Sequence, residues 1–299
     1  MLEDIRRVVI VGTGLLGASV GRGLRDAGYA GSILGLARSS ATLERATAGG
    51  AIDRGVEDLA QAVADVDGRL IVVLAVPVGS FDEWFRRLAP LQRRGLYITD
   101  VGSTKASVAA GGRRHLAQPQ FFVPAHPMAG SERSGPEAAD GGLFRGKPCV
   151  LCPSEDTDDS ARDAVERLWQ GLGARVRTMP PDEHDRQVAA VSHLPHLLAV
   201  LLTQTADDMG PLGLASTGFR DTSRLALSNP PMRQDIIMAN RKPIGEALDR
   251  FASRLNELRG AVRKGKIDEL RALLEAAQQV RQDWQDNRSP PPAEDTASG

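Results

Sequence analysis

In the first 180 residues, short apolar runs alternate with amphipathic segments. RRVVIVG (6–12), GSILGLA (31–37), RLIVVLAV (69–76), GLYITDVG (95–102), QFFVPAH (120–126) and PCVLCPS (148–154) are rich in Val, Ile and Leu and bounded by Gly or Pro. That pattern predicts buried strands. Between them LLGASVGRGLRDAG, ATLERATAGG and SFDEWFRRLAPL carry helical periodicity, and ARDAVERLWQGLG followed by ARVRTMP adds one more helix–strand unit. Continuous apolar strands alternating with helices predict an α/β fold: a Rossmann-type, doubly wound, mostly parallel sheet with helices on both faces.

Near residue 181, after PPDEHD, the pattern changes, and up to about residue 286 only helical periodicity remains. One long candidate is DRQVAAVSHLPHLLAVLLTQTADD. Two more carry single apolar stripes, through Leu248, Phe251, Leu255 and Leu258 and through Ile267, Leu270, Leu274, Ala277 and Trp284. Stripes of this kind have to be buried in a bundle or against a second subunit. The expected organisation is a dinucleotide-binding domain over 1–180 and an all-α substrate and dimerisation domain over 181–286. The tail 287–299, NRSPPPAEDTASG, is Pro-rich and polar and is expected to be disordered.

Composition adds mainly exclusions. The chain has 299 residues, 41% of them apolar and 25% charged, which is ordinary for a globular protein. A net charge of −1 predicts no general attraction to nucleic acid or an anionic membrane. MLEDIRRVVIVGTG lacks a secretion-signal pattern, and no apolar stretch approaches the ~20 residues of a membrane span. A soluble, cytoplasmic protein is expected. Cys149 and Cys152 spell C-x-x-C, but on one strand they project to opposite faces, and no second pair completes a metal site. They are expected to be structural thiols in a reducing compartment.

Gly12, Gly14 and Gly17 in VGTGLLG form G-x-G-x-x-G between a strand and a helix, the context in which the pattern signals dinucleotide binding. Gly12 allows the tight turn, Gly14 lets the backbone approach a pyrophosphate, and Gly17 permits close helix–strand packing. The amides opening the helix at Leu15 and Leu16 face the phosphates. A plain glycine turn or a methyltransferase-type loop is the alternative. About twenty residues further on, where an NAD site places an acid, the chain reads GLARSS. Arg38, Ser39 and Ser40 suit a 2′-phosphate, so NADP is expected ahead of NAD. The competing reading makes Arg38 a solvated charge and Ser40 a helix cap. In AVPVGS, Val76 and Pro77 fall at the next carboxyl strand end and join the cofactor candidates.

Two further strand ends carry Ser103 in TDVGSTK and His126 in HPMAGSE. Separately they read as a helix cap and a loop histidine. Together, beside a nicotinamide, they could hold and deprotonate a substrate alcohol. In SHLPHLL, His193 and His196 share a face if the helix continues past Pro195, but no acidic or cysteine partner lies at metal-ligand spacing and no metal is expected. GFRDTSRLALSNPPMRQD carries Arg220, Arg224 and Arg233. Asp221, three residues before Arg224, is placed to fix that guanidinium for carboxylate recognition, unless the segment is simply an exposed helix.

GTGLLGASVG, TDVGSTK, HPMAGSE, SHLPH and GFRDTSRLA, in this order, resemble the prephenate and arogenate dehydrogenases of tyrosine biosynthesis, over about residues 6–285. The resemblance implies NAD(P)-dependent oxidative decarboxylation of a cyclohexadienol: hydride leaves ring C4, CO2 leaves C1, and the ring becomes aromatic. It implies that His126 takes the C4 hydroxyl proton, that Ser103 orients both, and that Arg224 binds a substrate carboxylate. By the same resemblance His196 positions the substrate, Glu132 stands at the pocket mouth, and the helical domains form a homodimer. Arg233 departs from family members that have an aromatic residue after the Pro-Met pair, which touches the discrimination between prephenate and arogenate. GLARSS resembles the NADP-using, arogenate-preferring branch. The alternatives are a β-hydroxyacid or 6-phosphogluconate-type dehydrogenase, which would use a helix lysine where SHLPH stands, and a non-enzymatic NADP-sensing dimer.

Overall fold

The structure is a computed structural model and describes residues 2–64, 66–130 and 133–286. The expectations for Glu132 and for the tail 287–299 lie outside the described residues.

Six strands, β1 (Ile5–Val11), β2 (Ser32–Leu36), β3 (Arg54–Gly55), β4 (Arg69–Leu74), β5 (Leu96–Asp100) and β6 (Phe122–Val123), form a parallel sheet in the order β3-β2-β1-β4-β5-β6. The order reverses between β1 and β4, which leaves a crevice at their carboxyl ends. Side-chain alternation divides the strands between two cores. Val8, Ile10, Ile71 and Val73 pack with Leu24, Leu168 and Trp169, whereas Val9, Val11, Val72 and Leu74 pack with Phe81 and Phe85. Apolar residues facing both ways are what makes these strands read as continuous hydrophobic runs.

The apolar run 120–126 is not one strand. Pro124 has no N–H to give a ladder, and there the chain passes from β6 into β7 (Ala125–Pro127). With β8 (Pro148–Leu151) and β9 (Arg175–Thr178), β7 builds a separate three-stranded sheet, antiparallel between β7 and β8 and parallel between β8 and β9. His126 therefore sits where one sheet hands over to the other. Cys149 and Cys152 are free and buried, and burial pushes both thiols up, Cys152 to about 12. Such thiols stay protonated and inert at neutral pH.

The helices are α1 (Leu15–Asp26), α2 (Ser40–Ala48), α3 (Leu59–Val63), α4 (Phe81–Leu88), α5 (Ala106–His115), α6 (Asp159–Gly171), α7 (Pro181–Val188), α8 (Leu194–Asp208), α9 (Thr217–Ser223), α10 (Pro230–Ala239), α11 (Arg241–Arg263) and α12 (Ile267–Asp286). A π-helical turn, Ala189–His193, joins α7 to α8, and Pro195 falls in the first turn of α8. The insertion absorbs the proline without ending the helix.

That continuity corrects one expectation. Pro181–Asp208 is 28 residues of unbroken helix with a window of mean hydropathy 1.3, long and apolar enough to cross a bilayer by length and composition. Polar positions interrupt the apolar run in the sequence, while the helix continues through them. The same helix buries His184, Asp185 and His193 within the fold, and leaves Val191, Leu201 and Leu202 exposed.

The chain divides into two compact units, Met1–Ile244 and Gly245–Gly299. The first runs past residue 181, since α7 hydrogen-bonds the start of α5 through Asp185 and β7 through His184, and Asn240 hydrogen-bonds α7 and the π-turn. In the second, Leu255, Leu258, Ile267, Leu274 and Trp284 of the expected stripes are exposed.

Candidate active site

The loop after β1 packs flush between its neighbours. Gly12 N–H donates to Leu36 O at 2.8 Å, and Ala75 N–H donates to Val11 O at 2.7 Å. Gly12 has φ +95°, and a Cβ there would lie 2.3 Å from Ala75 O. A Cβ on Gly17 would lie 1.9 Å from Gly12 O, so only glycine lets α1 sit this close to the strand. At Gly14, by contrast, a Cβ would meet nothing within 4 Å. The chain is tight behind the loop and open in front of it. No side chain caps α1 at Gly14, and its first turn holds no acid. The amides that open at Leu15 and Leu16 are thus left for an anion, as a dinucleotide pyrophosphate requires.

Arg38, Ser39 and Ser40 are exposed at the end of β2. Ser39, not Ser40, occupies the N-cap position of α2, and its side chain makes no capping hydrogen bond. Val76 is half-buried and Pro77 exposed at the end of β4. A helix from the C-terminal half reaches this edge, since a Cβ on Gly79 would lie 3.3 Å from the Asp235 carboxylate of α10.

The backbone beside His126 is clamped. Asp100, fully buried, accepts from Ala125 N at 3.0 Å and from Gly102 N at 2.8 Å. The buried Lys105 ammonium pairs with the same carboxylate and donates to Ala125 O at 2.8 Å. A buried charge pair is tolerable only when its remaining hydrogen bonds are satisfied, and here they hold the strand that carries His126.

His126 is buried, at 7% exposure. Its Nδ1 lies 2.8 Å from Nε2 of His184, and His184 Nδ1 lies 2.8 Å from Asp185 Oδ1. The described residues form no hydrogen bond to His126 Nε2. Burial, and then the charges of His184, Lys105 and His193, hold the His126 pKa well below its ordinary value. The ring is therefore neutral at pH 7, as a general base must be.

Ser103 is half-buried and makes no hydrogen bond with the described residues. It does not cap α5 either: Asp185 reaches over from α7 and accepts from Lys105 N at 2.7 Å and Ala106 N at 2.9 Å. His196 is half-buried, and its Nδ1 donates to Ser192 O at 2.8 Å, a carbonyl in the π-turn. His193 does not share a role with it. Asn240 Nδ2 donates to His193 Nδ1 at 3.0 Å and to Asp185 O at 2.8 Å. His193 Nε2 is buried with no partner among the described residues, and burial lowers its pKa to about 4.

The arginines part company. Asp221 pairs with Arg220, at 2.9 Å and with both side chains exposed, rather than with Arg224 as expected. The helical backbone continues through Ser223 and Arg224, so the choice of partner lies in the side chains: the Arg220 guanidinium folds onto the adjacent Asp221 carboxylate. Arg224 is exposed. Arg233 is half-buried, its Nε is buried without a partner among the described residues, and burial lowers its pKa. Its charge reaches both His193 and His196, contributing to their lowered pKa values after burial itself. Sequence reading missed His184, Asp185, His193 and Asn240 as members of this cluster. A histidine–aspartate pair opening a helix, at HD in PPDEHD, was the available signal. Among the described residues no group of His, Cys, Asp or Glu is placed to hold a metal.

A glycine cradle at the switch point of a parallel sheet, with a neutral buried imidazole at the same carboxyl edge, defines a dinucleotide-dependent oxidoreductase. Residues 20–178 match the nucleotide-binding domain of prephenate dehydrogenase, and residues 180–276 match its dimerization domain. The chain belongs to the prephenate dehydrogenase family. It is 31% identical to the cyclohexadienyl dehydrogenase of Zymomonas mobilis, over 92% of this chain and 95% of that one. The crystal structure of prephenate dehydrogenase from Aquifex aeolicus with hydroxyphenyl propionate and NAD+ is 31% identical, with a TM-score of 0.86 over 93% of this chain and 98% of that one. The Synechocystis arogenate dehydrogenase structure is 28% identical, with a TM-score of 0.79 over 93% of this chain and 99% of that one.

Proposed function

We propose that this enzyme oxidatively decarboxylates prephenate, arogenate or both, with NADP preferred to NAD, in tyrosine biosynthesis. The observation that carries the reading is His126: a buried, neutral imidazole at the carboxyl edge that also bears the glycine cradle. The bound dinucleotide supplies a hydride acceptor. The chain's own residues hold the substrate and move one proton.

In this reading Gly12, Gly14, Leu15, Leu16 and Gly17 cradle the pyrophosphate, while Val76 and Pro77 flank the cofactor. Arg38, Ser39 and Ser40 receive a 2′-phosphate. Support comes from an exposed guanidinium beside a serine hydroxyl that the α2 cap leaves unused, with no acid at the usual position. His126 is the base, and Ser103 binds the substrate hydroxyl from the neighbouring strand end. Arg224 binds a substrate carboxylate, and His196, Arg220 and Arg233 complete the substrate-binding set. The buried Nε of Arg233, which has no partner among the described residues, suits a carboxylate, because an unpaired buried donor is costly until an anion takes it. Aromatisation drives the reaction, so the task of the site is alignment, worth ~7–11 kcal/mol of barrier at best.

We assign residues 1–180 to the dinucleotide and 181–286 to substrate and dimerisation, a division supported by the matches over 20–178 and 180–276. The homodimer covers the apolar positions exposed on α8, α11 and α12. The setting is cytoplasmic, without nucleic acid or membrane. Mixing the protein with NADP+ or NAD+ and either prephenate or arogenate, and following reduced-nicotinamide absorbance, tests the reading. Turnover of at least one substrate, faster with NADP+, is expected. No signal with either substrate sinks it.

A further inference from the structure

Hydrogen-bond bookkeeping through the buried cluster assigns the proton on every ring in it. The two oxygens of Asp185 already accept from Lys105 N and Ala106 N at the start of α5. A carboxylate committed in this way presents an acceptor to the ring beside it, so His184 Nδ1 carries the hydrogen of their 2.8 Å contact. A His184 ring that carries this one hydrogen is bare at Nε2. His126 Nδ1, 2.8 Å away, has to be the donor. One consequence remains: the lone pair of His126 is on Nε2, the nitrogen to which the described residues form no hydrogen bond.

We infer that His184 and Asp185 are positioning residues that fix the Nε2-basic tautomer of His126 and steady its imidazolium during turnover. This rests on the proposed reaction. There the substrate O–H bond breaks and its proton passes to His126 Nε2. The freed electron pair forms the C4=O bond as hydride leaves C4 for the bound dinucleotide. The C1–carboxylate bond then breaks, CO2 departs, and that electron pair completes the aromatic ring, leaving a phenolate oxygen. The phenolate takes the proton back from Nε2, so no net proton is consumed. While His126 is charged, its Nδ1–H points at His184 Nε2 with the Asp185 carboxylate behind, an arrangement equivalent to the orienting acid of a hydrolase triad extended by one ring. Lys105 just before α5, His193 on the π-turn and His184 on α7 are the titratable groups that act on His126, and Asp185 is the acid in contact with the relay.

The geometry also explains why Asn240 belongs to the cluster. Its amide binds Asp185 O and His193 Nδ1, which holds the π-turn against α7 and keeps the His184 ring in place. His193 is thereby an acceptor at Nδ1 and protonated at Nε2, the opposite tautomer to His126.

Ring-nitrogen NMR of histidine-labelled protein tests the tautomers directly, with the His126 signals assigned by their loss in His126→Asn. The expected spectrum shows a bare Nε2 and a protonated Nδ1 on His126. In His184→Phe the acceptor is gone: kcat should fall roughly 10²–10⁴-fold, with KM changed less than about threefold. His184→Gln offers an amide oxygen to His126 Nδ1 and should recover most of that loss, which a purely packing role would not produce. A protonated Nε2 on native His126, or a His184→Phe enzyme within about threefold of native kcat, overturns the inference. If His184→Phe does not fold, the native spectrum and the His184→Gln kinetics decide. Should the native protein turn over neither substrate, the proposed function fails, while the spectrum still reports whether the relay exists.

Discussion

His126 and His184 meet edge to face, with ring centroids 5.0 Å apart and ring planes at 72°, and with Nδ1 and Nε2 at hydrogen-bonding distance. They are 58 residues apart in the chain. A base fixed from behind by another ring has little freedom to turn away from its substrate. His126→Asn should therefore lower kcat by roughly 10²–10⁴ while leaving KM little changed, since it removes proton transfer rather than binding. Steady-state kinetics check this. Near-native turnover would show that the base is elsewhere.

The pH profile of kcat/KM should follow from the same burial. An isolated histidine titrates near 6.5, and burial holds the His126 pKa well below that. The base is lost only on protonation, so activity should persist as pH falls past 6.5 and decline through the lowered value. An acid limb of kcat/KM at or above 6.5 would contradict the assignment.

Stability should respond to pH through His193. Its folded pKa is about 4, against 6.5 for the free side chain. Between those values the unfolded chain binds more protons than the folded one, so stability falls as pH drops from 6.5 towards 4. Urea midpoints measured across this window should decrease, and His193→Gln should make the dependence shallower. An unchanged slope in the variant would assign the effect to other groups.

Arg38→Ala should separate the two cofactors. Losing one charge-assisted contact to a 2′-phosphate costs about 1.5–3 kcal/mol, which converts to roughly 10–150-fold in the KM for NADP. The KM for NAD should move little. An equal effect on both would return Arg38 to the role of a solvated loop charge.

The chemistry-bearing motifs were legible where a short segment is its own explanation. G-x-G-x-x-G works through local backbone geometry, and the tight approach at Gly12 and Gly17 follows from residue type. His126 was legible because a strand end of a doubly wound sheet is a predictable address. The pairing of Asp221 was not. Asp221 bonds the adjacent Arg220 with both side chains exposed, a rotamer choice on which helical periodicity carries no information.

By itself the sequence determined the parallel sheet, its glycine cradle, the change to helices near residue 181 and the candidates His126 and Ser103. All of these arise from local spacing and from side-chain alternation. Tertiary structure alone decided that the run at 120–126 divides between two sheets at Pro124. It also brought His184 and Asp185 behind His126, with Asp185 contacting Lys105 across 80 residues of chain. A hydrogen bond of that span leaves no periodic trace in either segment, because its partners meet only after the sheet and the helices have packed.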